Sequence, residues 1–243
     1  MKPFLLLSIR ADDDAADEEY SAFVRFAGLT PGEVERVRLD RGPLGRVEVT
    51  DYAGIILGGG PYNASDPIEE KSADQLRAED ELAGLMEEVI GRDTWFLGAC
   101  YGIGVVGTAI GARIDREFSE PVSSVPVTLS DAGRDDPLFS ALPAGFDAFV
   151  GHKEAISVLP ASATLLASSP TCPVQGFRVG SRVYATQFHP ELDVAGIVTR
   201  IGTYRHHGYF DPSEYDDLVA MARASAVCHP PALLARFAAL ARA

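Results

Sequence analysis

The sequence predicts an α/β fold: a doubly wound, mostly parallel sheet with helices on both faces, plus added antiparallel strands. Three observations carry this expectation. Short apolar runs recur in the amino-terminal half, at "FLLLSIR", "YAGIILGGGP" and "TWFLGA", each suited to a strand buried on both faces. Helical stretches separate these runs, the alternation of a parallel sheet. From about Arg116 the texture changes to short β-rich pieces divided by Pro, Gly and Asp, which fits antiparallel strands laid onto the same sheet.

In chain order, "FLLLSIR" opens as a strand. In the acidic "ADDDAADEEYSAFVRFAGL" the first half reads as a loop and helix start, the second as helix. "VERVRLD" alternates like a strand, and "YAGIILGGGP" is apolar up to a glycine-rich stop. A long helix is expected from about Glu69 to Ile90, then the strand "TWFLGA", then a small-residue helix from about Tyr101. The β-rich pieces are "VSSVPVTLS", "DAFVGHKEAISVLP", "TLLASS", "VQGFRVG" and "RVYATQFHPE", the last a strand ending at His189, since Pro190 cannot continue a ladder. The tail returns to helix from about Asp193, interrupted near His229 to Pro231. With no internal repeat and no low-complexity linker, residues 1–243 read as one domain with a helical carboxy-terminal extension.

Composition narrows the function classes. The 243 residues carry a formal net charge of −14, which repels nucleic acid and anionic membrane surfaces, so neither is expected as a partner. No apolar run reaches membrane-spanning length, and "FLLL" is too brief for a signal-peptide core. The three cysteines, Cys100, Cys172 and Cys228, cannot all pair and form no metal-ligand spacing, so no metal and no cofactor are expected. A reduced, cytoplasmic protein is the resulting expectation, one in which a lone cysteine can be a reagent.

The segment "TWFLGACYGIGVVG" holds two motifs at once. From Gly102 it reads G-x-G-x-x-G, a dinucleotide fingerprint; from Gly98 it reads G-x-C-x-G, a nucleophile elbow with Cys100 at the tip. The dinucleotide reading needs an acidic residue at the end of the next strand, and Glu117 and Glu120 precede that strand instead. In the elbow, Gly98 and Gly102 come close together across a sharp strand-to-helix turn, where a Cβ fits poorly. The turn leaves Cys100 at a helix N-terminus, where orphan N–H groups and the dipole attract a negative sulfur.

A thiolate nucleophile works with a base that a third group orients. Of the five histidines, His189 is distinguished by Glu191 two residues later, close enough to fix its tautomer. His152, in "VGHKEA", ends a strand-like run and is either near the site or a turn residue. His206 and His207 are adjacent and read as surface, and His229 precedes two prolines in a loop. "ILGGGP", from Ile56 to Pro61, leaves a strand as three glycines free to aim N–H groups at an oxyanion; without a following G-K-[ST] it is not a Walker loop. One such N–H together with that of Tyr101 would stabilise a tetrahedral oxyanion, worth roughly 3–4 kcal/mol for each donor.

The ordered set "GIILGGGP", "GACYG", "REF", "GHKEAISVLP", "CPVQGF" and "YATQFHPEL" resembles the class I (triad) glutamine amidotransferases, most closely the glutaminase domain of GMP synthetases and its free-standing relatives. The resemblance spans about Tyr52 to Glu191. It implies Cys100 as nucleophile, His189 as base and Glu191 as its orienting acid, with Gly60 and Tyr101 forming the oxyanion hole. It further implies Gly59, Gly104, Phe118 and His152 as the substrate-binding surface. Glutamine is then the small-molecule substrate, and a separate synthetase subunit is the receiver of its ammonia. Two positions depart from the family pattern: Gly104 replaces the glutamine of G-x-C-x-G-x-Q, and Ser119 replaces the glycine after "REF". Both touch substrate recognition, so a γ-glutamyl hydrolase acting on a larger compound, with Gly104 opening the room, is the alternative. A non-catalytic binding module of the same fold is the third reading. "LLARFAALARA" is a candidate homodimer contact.

Overall fold

Strand β1 (Phe4–Ser8) is buried along its whole length, and its period-2 alternation divides the molecule into two layers. Phe4 and Leu6 enter one core with Phe23 and Val24, whereas Leu5 and Leu7 enter another with Leu82, Met86, Ile103 and Val106. Phe23 and Val24 belong to helix α1 (Asp13–Phe26), Leu82 and Met86 to α2 (Ala73–Gly91), and Ile103 and Val106 to α3 (Tyr101–Ala109). Helices therefore cover both faces of the sheet, as expected for the doubly wound class. These relations come from a computed structural model describing residues 2–205 and 210–243; His206 and His207 lie outside the described residues.

The remaining strands are β2 (Val34–Arg38), β3 (Gly54–Leu57), β4 (Phe96–Ala99), β5 (Arg113–Asp115), β6 (Glu120–Leu129), β7 (Gly145–His152), β8 (Ala155–Val158), β9 (Ala163–Ser168), β10 (Gly176–Val179) and β11 (Val183–Thr186). Nine strands form one sheet in the order β2-β1-β3-β4-β11-β10-β9-β6-β7, and β5 pairs with β8 in a separate ribbon. From β2 to β11 all pairings are parallel; from β11 to β7 they are antiparallel. Leu7, Leu57, Gly98 and Ala185 stand in one cross-strand row. The segments leaving β1, β3, β4 and β11 thus emerge side by side at one carboxyl edge, where open α/β sheets bind ligands.

Caps set the helix boundaries and shift two of them from expectation. The Asp12 carboxylate accepts from Ala15 N–H at 3.0 Å, so α1 begins at Asp13 and includes most of the acidic run expected as loop. Ser72 caps α2, so that helix starts at Ala73 instead of Glu69, after a separate 3₁₀ turn at Ile68–Glu70. A short helix α4 (Asp131–Asp135) connects β6 towards β7.

After the sheet come α5 (Val194–Thr203), α6 (Tyr215–Ala224) and α7 (Pro231–Ala241). Ile197 and Ile201 of α5 pack with Phe149 of β7 and with Val219 of α6. Leu233, Leu234, Phe237 and Ala238 of α7 are buried beside Phe4 and Leu6 of β1. Leu233, Leu234, Phe237 and Ala238 of "LLARFAALARA" thus belong to this chain's own core, while Ala235 and Ala239 are exposed and Leu240 and Ala241 half-buried. Among the described residues no helix is long and apolar enough to cross a membrane.

Candidate active site

Cys100 sits between β4 and α3 with φ 54° and ψ −93°, a left-handed conformation that side chains rarely adopt. Such a residue carries on the order of 1–3 kcal/mol of strain and persists only where its surroundings over-determine it. Here the Cys100 N–H donates to Thr186 O at 2.8 Å, pinning the turn to β11. A Cβ on Gly98 would lie 2.8 Å from Gly102 Cα, so the elbow closes only because position 98 has no side chain. The sulfur is half-buried, whereas Cys172 is fully buried and Cys228 exposed.

β11 ends at Thr186, three residues before His189, a correction to the expected strand. The Thr186 hydroxyl donates to Phe188 O at 2.9 Å, and His189 N–H donates to Phe149 O at 3.1 Å, so β7 holds the histidine from the side. His189 Nδ1 donates to Glu191 Oε1 at 2.7 Å, which leaves Nε2 for the sulfur. Burial disfavours the charged ring, but the attraction of Glu191 and of the Cys100 sulfur outweighs it and pushes His189 up from 6.5 to about 9. Burial likewise opposes the Glu191 charge, yet His189 first and Arg200 second hold its carboxyl well below the usual carboxylate range. Arg200, from α5, donates to Glu191 at 2.9 Å and to Glu18 of α1 at 2.9 Å. Arg10, just past β1, is buried and bonded to Glu19 at 2.7 Å and to Tyr204 at 3.0 Å. Arg10 and Arg200 carry no sequence motif, and only the fold brings them beside the histidine.

Two cavities meet at Cys100. The wider, about 410 Å³, is lined by Gly60, Cys100, Tyr101, His152 and Gln187 among others. The narrower, about 50 Å³, is lined by Gly60, Cys100 and His189 and is walled by α5. Gly59 lies between Arg10 and His189: a Cβ there would be 2.9 Å from Arg10 Nη2 and 2.9 Å from His189 Cε1. The glycine-rich exit from β3 thus passes directly against both side chains.

The candidate substrate-binding residues divide. Phe118 is not in the wall of either cavity; its neighbours Arg116 and Ser119 line the wider one. His152 lines it, but Nε2 faces Glu120 Oε2 at 2.8 Å and Nδ1 faces Glu154 O at 2.9 Å, so both ring nitrogens are already engaged. Gly104 does not open extra room. A Cβ there would meet Glu154 Oε1 at 2.8 Å and Ala64 Cβ at 3.1 Å. The buried Glu154 carboxylate accepts from Ala64 N–H at 2.9 Å and Ser65 N–H at 2.7 Å, latching the loop after β3 over α3. Sequence reasoning missed Glu154, and missed Gln187, whose buried Oε1 has no partner among the described residues while the side chain lines the wider cavity. Its place in "QFHPE", two residues before the histidine, was the available signal.

One cluster has metal-like proximity: ligand atoms of Glu120, His152 and Cys172 lie within 4.8 Å of one another. Its donors are spent on protein partners. Glu120 also accepts from Gln175 at 2.7 Å and from Thr171, and its carboxyl is lowered because these bonds and the one from His152 outweigh burial. Burial pushes the Cys172 thiol up to about 12, so it is a weak metal ligand.

Comparison with known proteins adds a family. Residues 27–196 match the family model described as glutamine amidotransferase class-I. Over 148 residues the chain is 31% identical to the glutamine-hydrolyzing GMP synthase subunit of Methanobrevibacter smithii, covering 60% of this chain and 67% of that one. Over 147 residues it is 29% identical to the corresponding GMP synthase subunit of Thermoplasma acidophilum, covering 60% and 66%. The match thus spans about two thirds of these relatives' length. A crystal structure of a glutamine amidotransferase from Thermotoga maritima superposes with a TM-score of 0.72 at 20% identity, covering 98% of this chain and 99% of that one.

Proposed function

The chain belongs to the class I glutamine amidotransferase family, and from that premise we propose that it hydrolyses the side-chain amide of glutamine with Cys100 as nucleophile, His189 as base and Glu191 as the orienting acid. The observation that carries this reading is the strained Cys100 at the β4–α3 turn beside a histidine whose Nδ1 is committed to a buried carboxylate. With its proton already held on His189, Cys100 Sγ attacks the amide carbon. The oxyanion forms towards the N–H groups of Gly60 and Tyr101. As the tetrahedral species collapses, the C–N bond breaks and His189 returns the proton to nitrogen, so ammonia leaves a glutamyl thioester. His189 then takes a proton from water, which attacks the thioester carbon and releases glutamate and the free thiol. The wall of the wider cavity carries Arg116, Lys153 and the buried Gln187, whose Oε1 has no partner among the described residues, polar groups that suit an amino acid head.

By likeness to relatives named as a component of GMP synthase, a separate synthetase subunit receives the ammonia. A second reading, a hydrolase of larger γ-glutamyl compounds, draws on the 410 Å³ of the wider cavity. The primary test is labelling with a diazo-ketone glutamine analogue, read by intact mass and peptide mapping, with Cys100→Ala as control. One adduct on Cys100, absent from the variant, is the expected outcome. A Cys100 that reacts with a general thiol reagent but never with the analogue would refute a glutamine-shaped pocket.

A further inference from the structure

The carboxylate that orients His189 has two donors and offers them a single oxygen. His189 Nδ1 donates to Glu191 Oε1 at 2.7 Å, and Arg200 Nη1 donates to the same oxygen at 2.9 Å. Glu191 Oε2 is buried with no partner among the described residues, so both donors meet over Oε1. Nη1 and Nδ1 stand 3.4 Å apart with both nitrogens donating, which makes this an approach of like charges and not a bond. Arg200 divides its charge between Glu191 and Glu18 of α1, at 2.9 Å from each. Arg10, on the other side of the ring, is already paired with Glu19. Arg10, Glu18, Glu19, Arg200 and Tyr204 all lie outside residues 27–196, the span that matches the family.

The reaction proposed above, on which this inference rests, needs opposite states of the ring in its two halves. Before attack the proton must be on His189; once ammonia has carried it away, the ring must stay neutral until water supplies another. Glu191 and the Cys100 sulfur both favour the charged ring in the free enzyme. Formation of the thioester cancels the sulfur's share, because an acylated sulfur carries no charge. Glu191 remains, and a buried carboxylate 2.7 Å from Nδ1 would by itself keep drawing a proton from solution onto Nε2. A protonated Nε2 cannot take a proton from the attacking water.

We infer that Arg200 is a positioning residue for the second half of the reaction: by sharing Glu191 Oε1 with His189 it offsets the pull of the carboxylate and leaves the imidazole free to act as base on the thioester. The step balances. Water gives one proton to His189 Nε2 as its oxygen bonds to the thioester carbon. The C–S bond then breaks and its electron pair returns to the Cys100 sulfur; the acid loses its remaining proton to solvent and leaves as glutamate. Sulfur and ring are back as the ion pair that starts the next turnover. The charged and titratable groups that face the ring are Cys100 from the β4–α3 turn, Glu191 on its own segment, Arg10 after β1 and Arg200 from α5. Glu18, Glu19 and Tyr204 stand behind the two arginines. Glu18 is half-buried and draws Arg200 away from Glu191, so its effect on the ring opposes that of Arg200.

The test uses the full chain and substoichiometric glutamine, and follows formation and decay of the glutamyl thioester by rapid acid quench and intact mass at neutral and alkaline pH. A neighbouring charge changes a group's proton affinity by roughly 10-fold or more, so Arg200→Met is expected to slow thioester decay at neutral pH by at least about 10-fold. Release of ammonia in the first turnover, which needs the charged ring, should not slow in proportion, and thioester should accumulate. The rising limb of decay rate against pH should move to higher pH in Arg200→Met, return towards wild type in Arg200→Lys, and move to lower pH in Glu18→Gln. Equal slowing of both halves in Arg200→Met with the limb in place is the result of a merely structural role, and it overturns the inference. If Arg200→Met does not fold, Glu18→Gln decides: a limb at lower pH supports the inference, and a limb unmoved or raised overturns it. Wild-type protein that forms no thioester and resists diazo-ketone labelling at Cys100 strikes the proposed reaction itself, and the assignment of Arg200 with it.

Discussion

Glu191 controls more of the site than its position two residues after His189 suggests. Buried without solvent, it is held as a carboxylate by His189 and Arg200, and in turn holds the imidazole charged up to about pH 9. His189 is raised from 6.5, so its contribution to stability is complete below that value and fades as pH rises through about 9. Glu191 is lowered, so its contribution is present above its ordinary value of 4.5 and fades only as pH falls well below it. The pair therefore stabilises the fold most fully between about pH 4.5 and 6.5. Glu191→Gln should flatten the loss of stability between pH 6.5 and 9, measured by urea unfolding across that range. The same substitution should reduce kcat by roughly 10²- to 10⁴-fold, as loss of a tautomer-fixing carboxylate does. It should also move the alkaline limb of the kcat/KM profile to lower pH, because His189 then gives up the proton needed by the leaving nitrogen more readily. An alkaline limb unmoved from about 9 would mean that Glu191 does not set the charge of the ring.

At the scale of elements, the β4–α3 elbow joins a motif legible in sequence to a conformation only packing can hold. Gly98 and Gly102 are within contact distance as their spacing implies, and a methyl at Gly98 would press 2.8 Å against backbone instead of a movable side-chain tip. Gly98→Ala should cost about 1–3 kcal/mol by forcing that backbone apart and lower turnover along with it, read by denaturant midpoint and steady-state rate. Retained stability with retained turnover would show the elbow more compliant than the contact implies. The loop after β3 illustrates the opposite case. Nothing in "PYNASD" announces a partner, yet Glu154, ninety positions away from Ala64, fixes it through two N–H bonds. The carboxylate fills the space that a side chain at position 104 would need.

On the scale of the whole molecule, the carboxy-terminal helices are structural members of the sheet's faces. Phe237 of α7 is fully buried against Phe4, with ring centroids 6.3 Å apart, and meets Trp95 edge-on at 6.0 Å. Phe237→Ala should destabilise the chain by about 3–5 kcal/mol, followed by urea unfolding with Trp95 fluorescence as the probe. A loss below about 1 kcal/mol would mean that α7 contributes little to this core. α5 links that framework to the chemistry, since Arg200 joins Glu191 to Glu18 while Ile197 and Ile201 wall the narrow cavity.

The sequence by itself determined the strand–helix alternation, the elbow around Cys100 and the pairing of His189 with Glu191. Each of these depends on residues within a few positions of one another, where periodicity, glycine spacing and local reach decide the outcome. Tertiary structure alone decided the rest. It directed the nitrogens of His152 to Glu120 and Glu154, left Phe118 out of the cavity walls, and closed the space at Gly104. It also brought Arg10 and Arg200 to the histidine and turned α7 inward. The physical reason is range: burial, charge pairing and cavity shape depend on which distant segments share a surface, and strand order, not local pattern, brings those segments together.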